Sequence, residues 1–454
     1  MRRLAFILAS CCLLTACDAV TDALQDDAPT QAPVAEPFSD AQRWWRSFND
    51  PLMDQLADQL LAQNIDMKIA TARVAEARGL ERTAKSGWFP DISATGEAFR
   101  GNNQFGMTKP ASIAGGGFDA SWEIDIFGRT RSQVSAAENR VDAGVASLQD
   151  VENSTVAELI KAVIEWRQAQ QIVKETTALL VAQDDQVKLL QSRVHAGLVD
   201  ASFAERAQAE YAQTETQLPL AAAEADTAEY QIERLMGKAS GELQDVLKAQ
   251  ETKNLEVPPV SSAIDIPLDT IRSRPDVRAA EANMLAAQAD LASARADLWP
   301  RLTIGGFFGA QGASDHIPVA DNPLWALTAG VTAPLLNFGR LRGAVDSSNA
   351  RALEASLAYE NTVLGALQEA KTALSDYING VNATLRQGEA LQHRQDAVSL
   401  ANERFTRGLT DMTDLTTAQE ELDQATIALI RMKADTATAY IRLQKALGLA
   451  IKNP

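Results

Sequence analysis

The sequence predicts a mixed α/β fold built twice within one chain, each half carrying a strand pair, a very long helix and a return helix. Three observations carry that expectation. Segments recur at a nearly fixed offset: "IDIFGRTRSQ" from Ile124 and "LLNFGRLRGA" from Leu335 write almost the same Phe-Gly-Arg stop 211 residues apart, and "FPDISATGEAF" from Phe89 answers "WPRLTIGGFF" from Trp299 at 210. Two stretches, 129–195 and 341–407, contain no proline and little glycine. Four short segments alternate between apolar and other residues, the period of a strand.

The chain opens "MRRLAFILASCCLLTAC", two arginines and an apolar run before Leu14-Thr15-Ala16-Cys17. That is the arrangement of a signal peptide, 1–16, ending at a lipidated cysteine. A soluble secreted protein whose signal peptide happens to end near a cysteine is the competing reading. Cleavage would remove Cys11 and Cys12, so the mature chain could form no internal disulfide and no Cys-based metal or redox site. Several acyl chains on Cys17 would give a stable membrane anchor. The polar, Pro-containing remainder of 17–40 reads as a disordered tether. No later segment is uniformly apolar over a helical span, and the formal charge of -18 argues against nucleic acid.

The first repeat is expected over 41–237: a helix, strands about 90–100 and 116–127, a long helix 129–195 and a return helix 200–236. A linker, 238–266, leads to the second repeat over 267–448, with a helix, strands about 301–311 and 324–337, a long helix 341–407 and a return helix 411–447 before a tail, 449–454. "RVHAGLVDASFAERAQAE" from Arg193 matches "RFTRGLTDMTDLTTAQEE" from Arg404, and Gly237 and Gly448 close the two halves. At about 1.5 Å per residue each long helix would run on the order of 100 Å, so it needs neighbours. In the second, Leu353, Leu357, Leu364, Leu367, Leu374, Ile378, Val381 and Leu385 fall on a heptad seam. Gly197 and Gly408 mark the helix tips, with Asp200 and Asp411 available as N-caps. A filamentous coiled coil would need no strands.

"FDASWEIDIF" places Phe118, Ala120, Trp122, Ile124 and Ile126 on one face and Asp119, Ser121, Glu123 and Asp125 on the other. "LWALTAGVTAPLL" sets Trp325, Leu327, Ala329, Val331, Ala333 and Leu335 together; Ile92, Ala94, Gly96 and Ala98 share a face, as do Leu302, Ile304, Gly306, Phe308 and Ala310. Alternation alone suits a hairpin on a soluble core equally well. About ten residues is also what a tilted strand needs to cross a bilayer, and four strands cannot close a membrane barrel. Together with the lipid anchor, this points to strands completed by other subunits.

These residues resemble the outer membrane factors, the TolC-like channel proteins of Gram-negative tripartite efflux and type I secretion systems. The nearest branch is the lipoproteins that work with resistance-nodulation-division (RND) pumps. The likeness runs from Trp44 to about Gly448; "SRPDVRAAEANMLAAQADLASARADLWPRL" from Ser273 is its most specific stretch. It implies a homotrimer in the cell outer membrane, lipid-anchored and extending into the periplasm. Four strands per chain would form a 12-stranded transmembrane β-barrel, continued by a 12-helix periplasmic α-barrel with the linker 238–266 in its equatorial region. Implied partners are a periplasmic adaptor (membrane fusion) protein and an inner-membrane RND transporter.

On that resemblance Phe127, Gly128, Arg129 and Phe338, Gly339, Arg340 form the barrel–helix junctions. The glycines turn the backbone, the phenylalanines anchor at the interface, and the arginines meet headgroups or neighbouring carboxylates. A packing role alone would also account for them. Asp119, Glu123 and Asp125 would face the lumen. At the periplasmic entrance the family's outer aspartate falls on Asp414, its companion is Thr417, and Asp411 is a further nearby carboxylate. A threefold Asp414 ring would favour cations; the plainer reading makes Asp411 and Asp414 helix-start carboxylates. The family's locking arginine and tyrosine are Thr410 and Phe405 here, so this iris must be held by something else, such as apolar contact.

Nothing reads as catalytic and no cofactor is implied: His195, His316 and His393 are scattered, and no phosphate loop, metal spacing or nucleophile elbow occurs. The expected function is a passive outer membrane channel subunit conducting small molecules from the RND pump and its adaptor to the exterior. The exit duct of a type I protein secretion system is the alternative within the channel class. A structural coiled-coil lipoprotein is the alternative outside it, disfavoured by the duplicated strands. The sequence names neither cargo nor pump, and Asp18 after the lipidated cysteine, which in enterobacteria retains lipoproteins in the inner membrane, leaves sorting to other signals.

Overall fold

The computed structural model describes residues 43–101, 111–249, 255–259, 268–313, 323–410 and 412–448. Cys17 with its signal segment and tether, Asp411, His316 and the tail lie outside the described residues. A short 3-10 turn, Trp44–Phe48, leads into α1 (Pro51–Gln63), α2 (Ile65–Ser86), β1 (Asp91–Gly101), β2 (Ala111–Ile124), α3 (Arg129–His195), α4 (Ala201–Glu215) and α5 (Gln217–Leu235). Then come two single-turn helices, α6 (Gln244–Lys248) and α7 (Leu268–Arg272), followed by α8 (Pro275–Ala296), β3 (Arg301–Ala313), β4 (Pro323–Thr332), α9 (Arg340–Thr406) and α10 (Met412–Ala446). The chain divides into two compact units.

One unit, residues 69–145 and 281–356, holds the strands. They form one antiparallel sheet in the order β1-β2-β3-β4, so β2 and β3, from different repeats, are the central pair and β1 and β4 the edges. Register places Ile92, Ala120, Gly306 and Leu327 in one cross-strand row and Ser93, Asp119, Phe307 and Ala326 in the next. A slip of one residue would reverse the faces, so the alternating pattern fixes the pairing. The first face exposes Ile92, Phe118, Phe308, Trp325, Leu327 and Val331. On the other, the Phe307 ring lies over Gly117 and Gly309, which face each other; a Cβ on Gly117 would meet the Phe308 carbonyl oxygen at 2.7 Å.

Two strands end earlier than the alternation suggests. β2 stops at Ile124 rather than 127, because the Ile126 N–H bonds back to the Ile124 carbonyl at 3.0 Å and turns the chain out of the ladder. β4 stops at Thr332 rather than 337. Thr332 pairs with Arg301, the first residue of β3, and the next position would meet Pro300. Pro334 has no N–H to offer either.

The second unit, residues 38–68, 146–280 and 357–454, is helical where described. Its core joins Trp45, Leu52, Leu60, Ile160, Trp166, Leu235 and Tyr440, each at most 1% exposed. Asp50 caps α1 by accepting from the Leu52 N–H at 3.0 Å and pairs with Arg167 at 2.7 and 3.1 Å, both side chains buried. Arg274, also buried, donates to Asp276 at 2.8 and 3.0 Å, to Glu369 at 2.7 Å and to the Ala446 carbonyl at 2.9 Å, tying α8 and α9 to the end of α10.

The return helix expected over 200–236 is broken at Thr216 into α4 and α5. Pro219 supplies the cause, since it cannot donate to the Glu215 carbonyl and its ring crowds that turn. The α9 seam is also redistributed. Along α9, Leu341, Ala352, Ala366, Ala370, Ala373 and Tyr377 are buried within the chain, a mostly small set that lets helices approach, and Leu367, Leu374 and Val381 of the seam pack partly buried against the core, whereas Leu353, Leu357, Leu364 and Leu385 are left exposed. Among the described residues no helix is long and apolar enough to cross a membrane.

The Asp50–Arg167 pair is a test of the helical core. Arg167→Met would strand a buried carboxylate, a change that costs about 3–5 kcal/mol, so calorimetry should show a clearly lowered unfolding temperature. An unchanged value would mean that Asp50 needs only its backbone contact.

Candidate functional site

At the helix tips the chain reverses twice in the same way. The Gly197 and Gly408 backbones are left-handed, at φ 66° and 70°. The Leu198 N–H reaches the Arg193 carbonyl and the Leu409 N–H the Arg404 carbonyl, both at 2.9 Å, while the glycine N–H groups bond Val194 and Phe405 at 2.9 and 3.0 Å. This pattern satisfies the last carbonyls of α3 and α9 and stops each helix where a side chain would be strained. Asp200 starts α4 by accepting from the Ser202 N–H at 2.8 Å.

Side chains join the two tips. The Arg193 guanidinium lies over the Phe405 ring, 5.7 Å from its centre, so Phe405 engages a cation from the other repeat instead of sealing by apolar contact alone. Asp414 sits in the first turn of α10 and accepts a hydrogen bond from the Thr410 hydroxyl. Thr417, one turn on, lines a cavity of about 580 Å³ among α3, α4 and α10, together with Phe203, Glu210, Met412, Glu420 and Asp423. Gln183 on α3 lines it too, 8% exposed and with its side-chain oxygen unbonded.

The acidic side chains of this cavity are crowded. Burial pushes the Glu210 carboxyl up to about 7, helped by the charge of Glu420, a hydrogen bond with it, and the charge of Asp423. Asp423 is pushed up to about 6 by burial and then by Glu420. Arg206 on α4 is the cation lining the same space.

At the strand–helix junctions the repeats differ. Gly128 and Gly339 are left-handed at φ 81° and 87°, and Phe338 shares that region at 50°. Arg129 is held by Glu123 through two bonds of 2.8 and 2.9 Å. Of the two partners expected for Arg129, headgroups or a neighbouring carboxylate, the structure supplies the second in Glu123. Asp125, expected on the strand, lies past its end and accepts from the Arg131 N–H at 2.8 Å, capping the start of α3. Asp119 accepts from the Thr95 hydroxyl at 2.7 Å on the polar face of the sheet. Phe127 stacks on Trp299, ring centres 5.3 Å apart and planes 14° apart. Phe338 is 99% exposed, and Arg340 is exposed beside it.

The sequence matches the family described as outer membrane efflux protein twice, over residues 56–238 and 267–449, the second match starting and ending 211 residues after the first. The chain belongs to that family. It is a non-catalytic outer membrane channel subunit of the efflux type. A pyoverdine export outer membrane protein, OpmQ of Pseudomonas putida, is 28% identical over 451 residues, 96% of this chain and 95% of its own. The toluene efflux pump outer membrane protein TtgC, from another strain of Pseudomonas putida, is 25% identical over 472 residues, 98% of this chain and 93% of its own. Among solved structures, the outer-membrane channel OprN superposes with a TM-score of 0.82 at 29% identity, over 93% of this chain and 95% of that one.

Sequence reasoning did not single out Arg193, Glu210, Glu420, Asp423, Trp299 or Phe307. Tip residues could be found from their spacing to Gly197 and Gly408. The carboxylate cluster could not, because Glu210 and Asp423 belong to different repeats and meet only through packing. Among the described residues no group of three His, Cys, Asp or Glu is placed to hold a metal ion.

Two outcomes follow. Arg193→Ala and Phe405→Ala each remove one half of a contact worth about 0.5–1 kcal/mol when exposed, so both should speed amide exchange at the two helix tips, around residues 193–198 and 404–409, to a similar, modest extent. The double variant should add little, and full additivity would mean the two residues act apart. The carboxyl cluster gives a pH dependence of known sign. Folded values above those of the free side chains mean that the folded form holds extra protons, so this packing is strongest in mild acid and loses support as pH rises through about 6 to 7. Amide exchange over residues 201–215, corrected for intrinsic rates, should therefore be faster at about pH 8 than at about pH 5.5, and Glu210→Gln should level the two.

Proposed function

We propose that three copies of this chain form the exit duct of a tripartite efflux system, conducting small molecules from an inner-membrane RND transporter and its periplasmic adaptor to the exterior. The observation that carries this reading is the sheet: four strands with two unpaired edges and a face exposing Ile92, Phe118, Trp325, Leu327 and Val331. Open edges are untenable in hydrocarbon and a bare apolar face is untenable in water, whereas three such sheets supply the twelve strands of a closed barrel that leaves no edge and turns this face to lipid. The polar face, with Asp119, Ser121, Thr303 and Thr328, would then line the lumen. The exposed leucines of α9 suit a second subunit, giving a twelve-helix periplasmic wall.

Cys17 would carry the lipid that places the chain in the lipoprotein branch. Asp414 would contribute a threefold carboxylate ring at the entrance, favouring cations in a narrow, poorly screened space, with Thr417 one turn further along α10. The RND assignment is supported by relatives named for toluene and antibiotic efflux pumps, a context for pumps of small molecules more than for polypeptide secretion. Their names differ in cargo, so the cargo of this channel stays a matter for transport assays.

Light scattering of the detergent-solubilised protein should give three chains per particle. Ala120→Arg puts a charge on the lipid face, a penalty of roughly 2–4 kcal/mol at the bilayer midplane incurred once per subunit, and should deplete folded trimer. Ser121→Arg, on the lumen face, should be milder. A monodisperse monomer that retains its strands would overturn the shared barrel, and equal damage from both substitutions would reverse the faces.

A further inference from the structure

The internal repeat specifies how one subunit meets the next. Within the chain, β2 of the first repeat pairs with β3 of the second, and each pair of partner numbers adds to 426: Phe118 with Phe308, Ala120 with Gly306, Ile124 with Leu302. The repeat carries β2 onto β4 at an offset of 211, Phe127 onto Phe338, and β3 back onto β1 at 210, Pro300 onto Pro90. The free edges of the sheet are β4 and β1, the two strands that this operation brings together.

We infer that β4 of one subunit pairs antiparallel with β1 of a second copy of this chain in the register that sets Ala329 opposite Ala98, Val331 opposite Gly96 and Leu335 opposite Ile92, and that Phe338 of the first copy stacks on Phe89 of the second. The inference rests on the shared-barrel reading and adds its register and its aromatic seam.

Three independent features agree with it. The register keeps the faces matched: Ile92, Gly96 and Ala98 lie on the apolar face of β1, and Ala329 and Val331 on the apolar face of β4. A shift of one residue either way would set apolar against polar rows. It also explains where β4 ends. β2 runs to Ile124, whose repeat equivalent is Leu335, yet β4 stops at Thr332 because β3 gives it no partner beyond Arg301. Pairing with β1 of the neighbour would carry it the remaining three residues, with Pro334 as a gap in the ladder. Finally, the seam supplies the missing cover. Phe127 is stacked on Trp299 inside the chain, whereas its equivalent Phe338 is 99% exposed, and Phe89, the equivalent of Trp299, is 71% exposed. Leu335 and Leu336, at 88% and 86%, are bare in the same stretch.

The full-length protein carrying Ala98→Cys and Ala329→Cys, oxidised with copper phenanthroline in detergent, should give covalently linked trimers on denaturing gels. Opposed strand residues place their Cβ atoms about 4.5–5.5 Å apart, near enough to bridge with little movement. Pairing Ala98→Cys with Leu327→Cys or Val331→Cys moves the partner two residues along the same face and should link on the order of tenfold less. Preferential linkage in either displaced pair, or equal linkage in all three, overturns the register even when light scattering reports trimers. A protein that light scattering finds monomeric overturns the shared barrel itself, and the register with it. For the seam, Phe338→Ala should weaken subunit association, read as dissociation on dilution in detergent, by a few-fold to about tenfold per contact, and Phe338→Trp should restore it. Wild-type association in Phe338→Ala, or no rescue by tryptophan, removes the proposed stack.

Discussion

Backbone hydrogen bonding at the outer edges of the sheet is the constraint on which the rest of the molecule turns. A two-edged sheet bearing Phe118, Phe308, Trp325 and Leu327 on one face can satisfy neither its edges nor its surface alone. The same shortage recurs on α9, where the chain buries a row of alanines and leaves leucines exposed. On the proposed reading, further copies of the chain meet both shortages. Buried charge serves a different end. Asp50 with Arg167, and Arg274 with Asp276 and Glu369, hold helices together where polar groups had to be enclosed. Such clusters fix geometry more than they add stability.

Much of this was legible because the informative residues are local. Gly197 and Gly408 stop their helices through backbone bonds made within one turn, so spacing sufficed to locate them. Strand faces were legible for the same reason, since alternation is set residue by residue. Where partners come from far along the chain, the sequence was mute. Even over six residues a fold can hide a pairing: Glu123 reads as one of a row of lumen carboxylates until Arg129 folds back on it, and Asp125 until the first turn of α3 brings the Arg131 N–H to it. The break at Thr216 was visible in principle, as Pro219 stands in the helix, but the strong pattern on both sides concealed it.

On the proposed reading, in which the helix tips form the entrance, they show how contacts can be made by other residues than the resemblance implies. The positions where the resemblance implies a charged lock are Thr410 and Phe405 in this chain. Thr410 turns inward to Asp414, and Phe405 accepts the Arg193 guanidinium. Both contacts lie within one chain: the first stays within the second repeat's tip, and the second joins the tips of the two repeats. On the proposed reading a closed state would rest on these contacts and on how α4 and α10 pack behind them. There the carboxyls of Glu210 and Asp423 meet Glu420, making that packing sensitive to protons.

Differences between the repeats are as informative as their likeness. If the two halves were identical, every seam of the proposed ring would be the same, and a chain could not tell its own second half from a neighbour's. The intrachain seam has the larger aromatic, Trp299, stacked on Phe127, and an ion pair, Arg129 with Glu123. The repeat equivalents at the other seam are Phe89 in place of Trp299 and Pro334 in place of Glu123, which leave Arg340 without the same partner. In the proposed ring the weaker set falls at the edge that a second copy would cover. A proline there also interrupts the ladder, which blunts the exposed strand against wrong partners, so in that ring the asymmetry would let the chain close on itself first and on its neighbours afterwards.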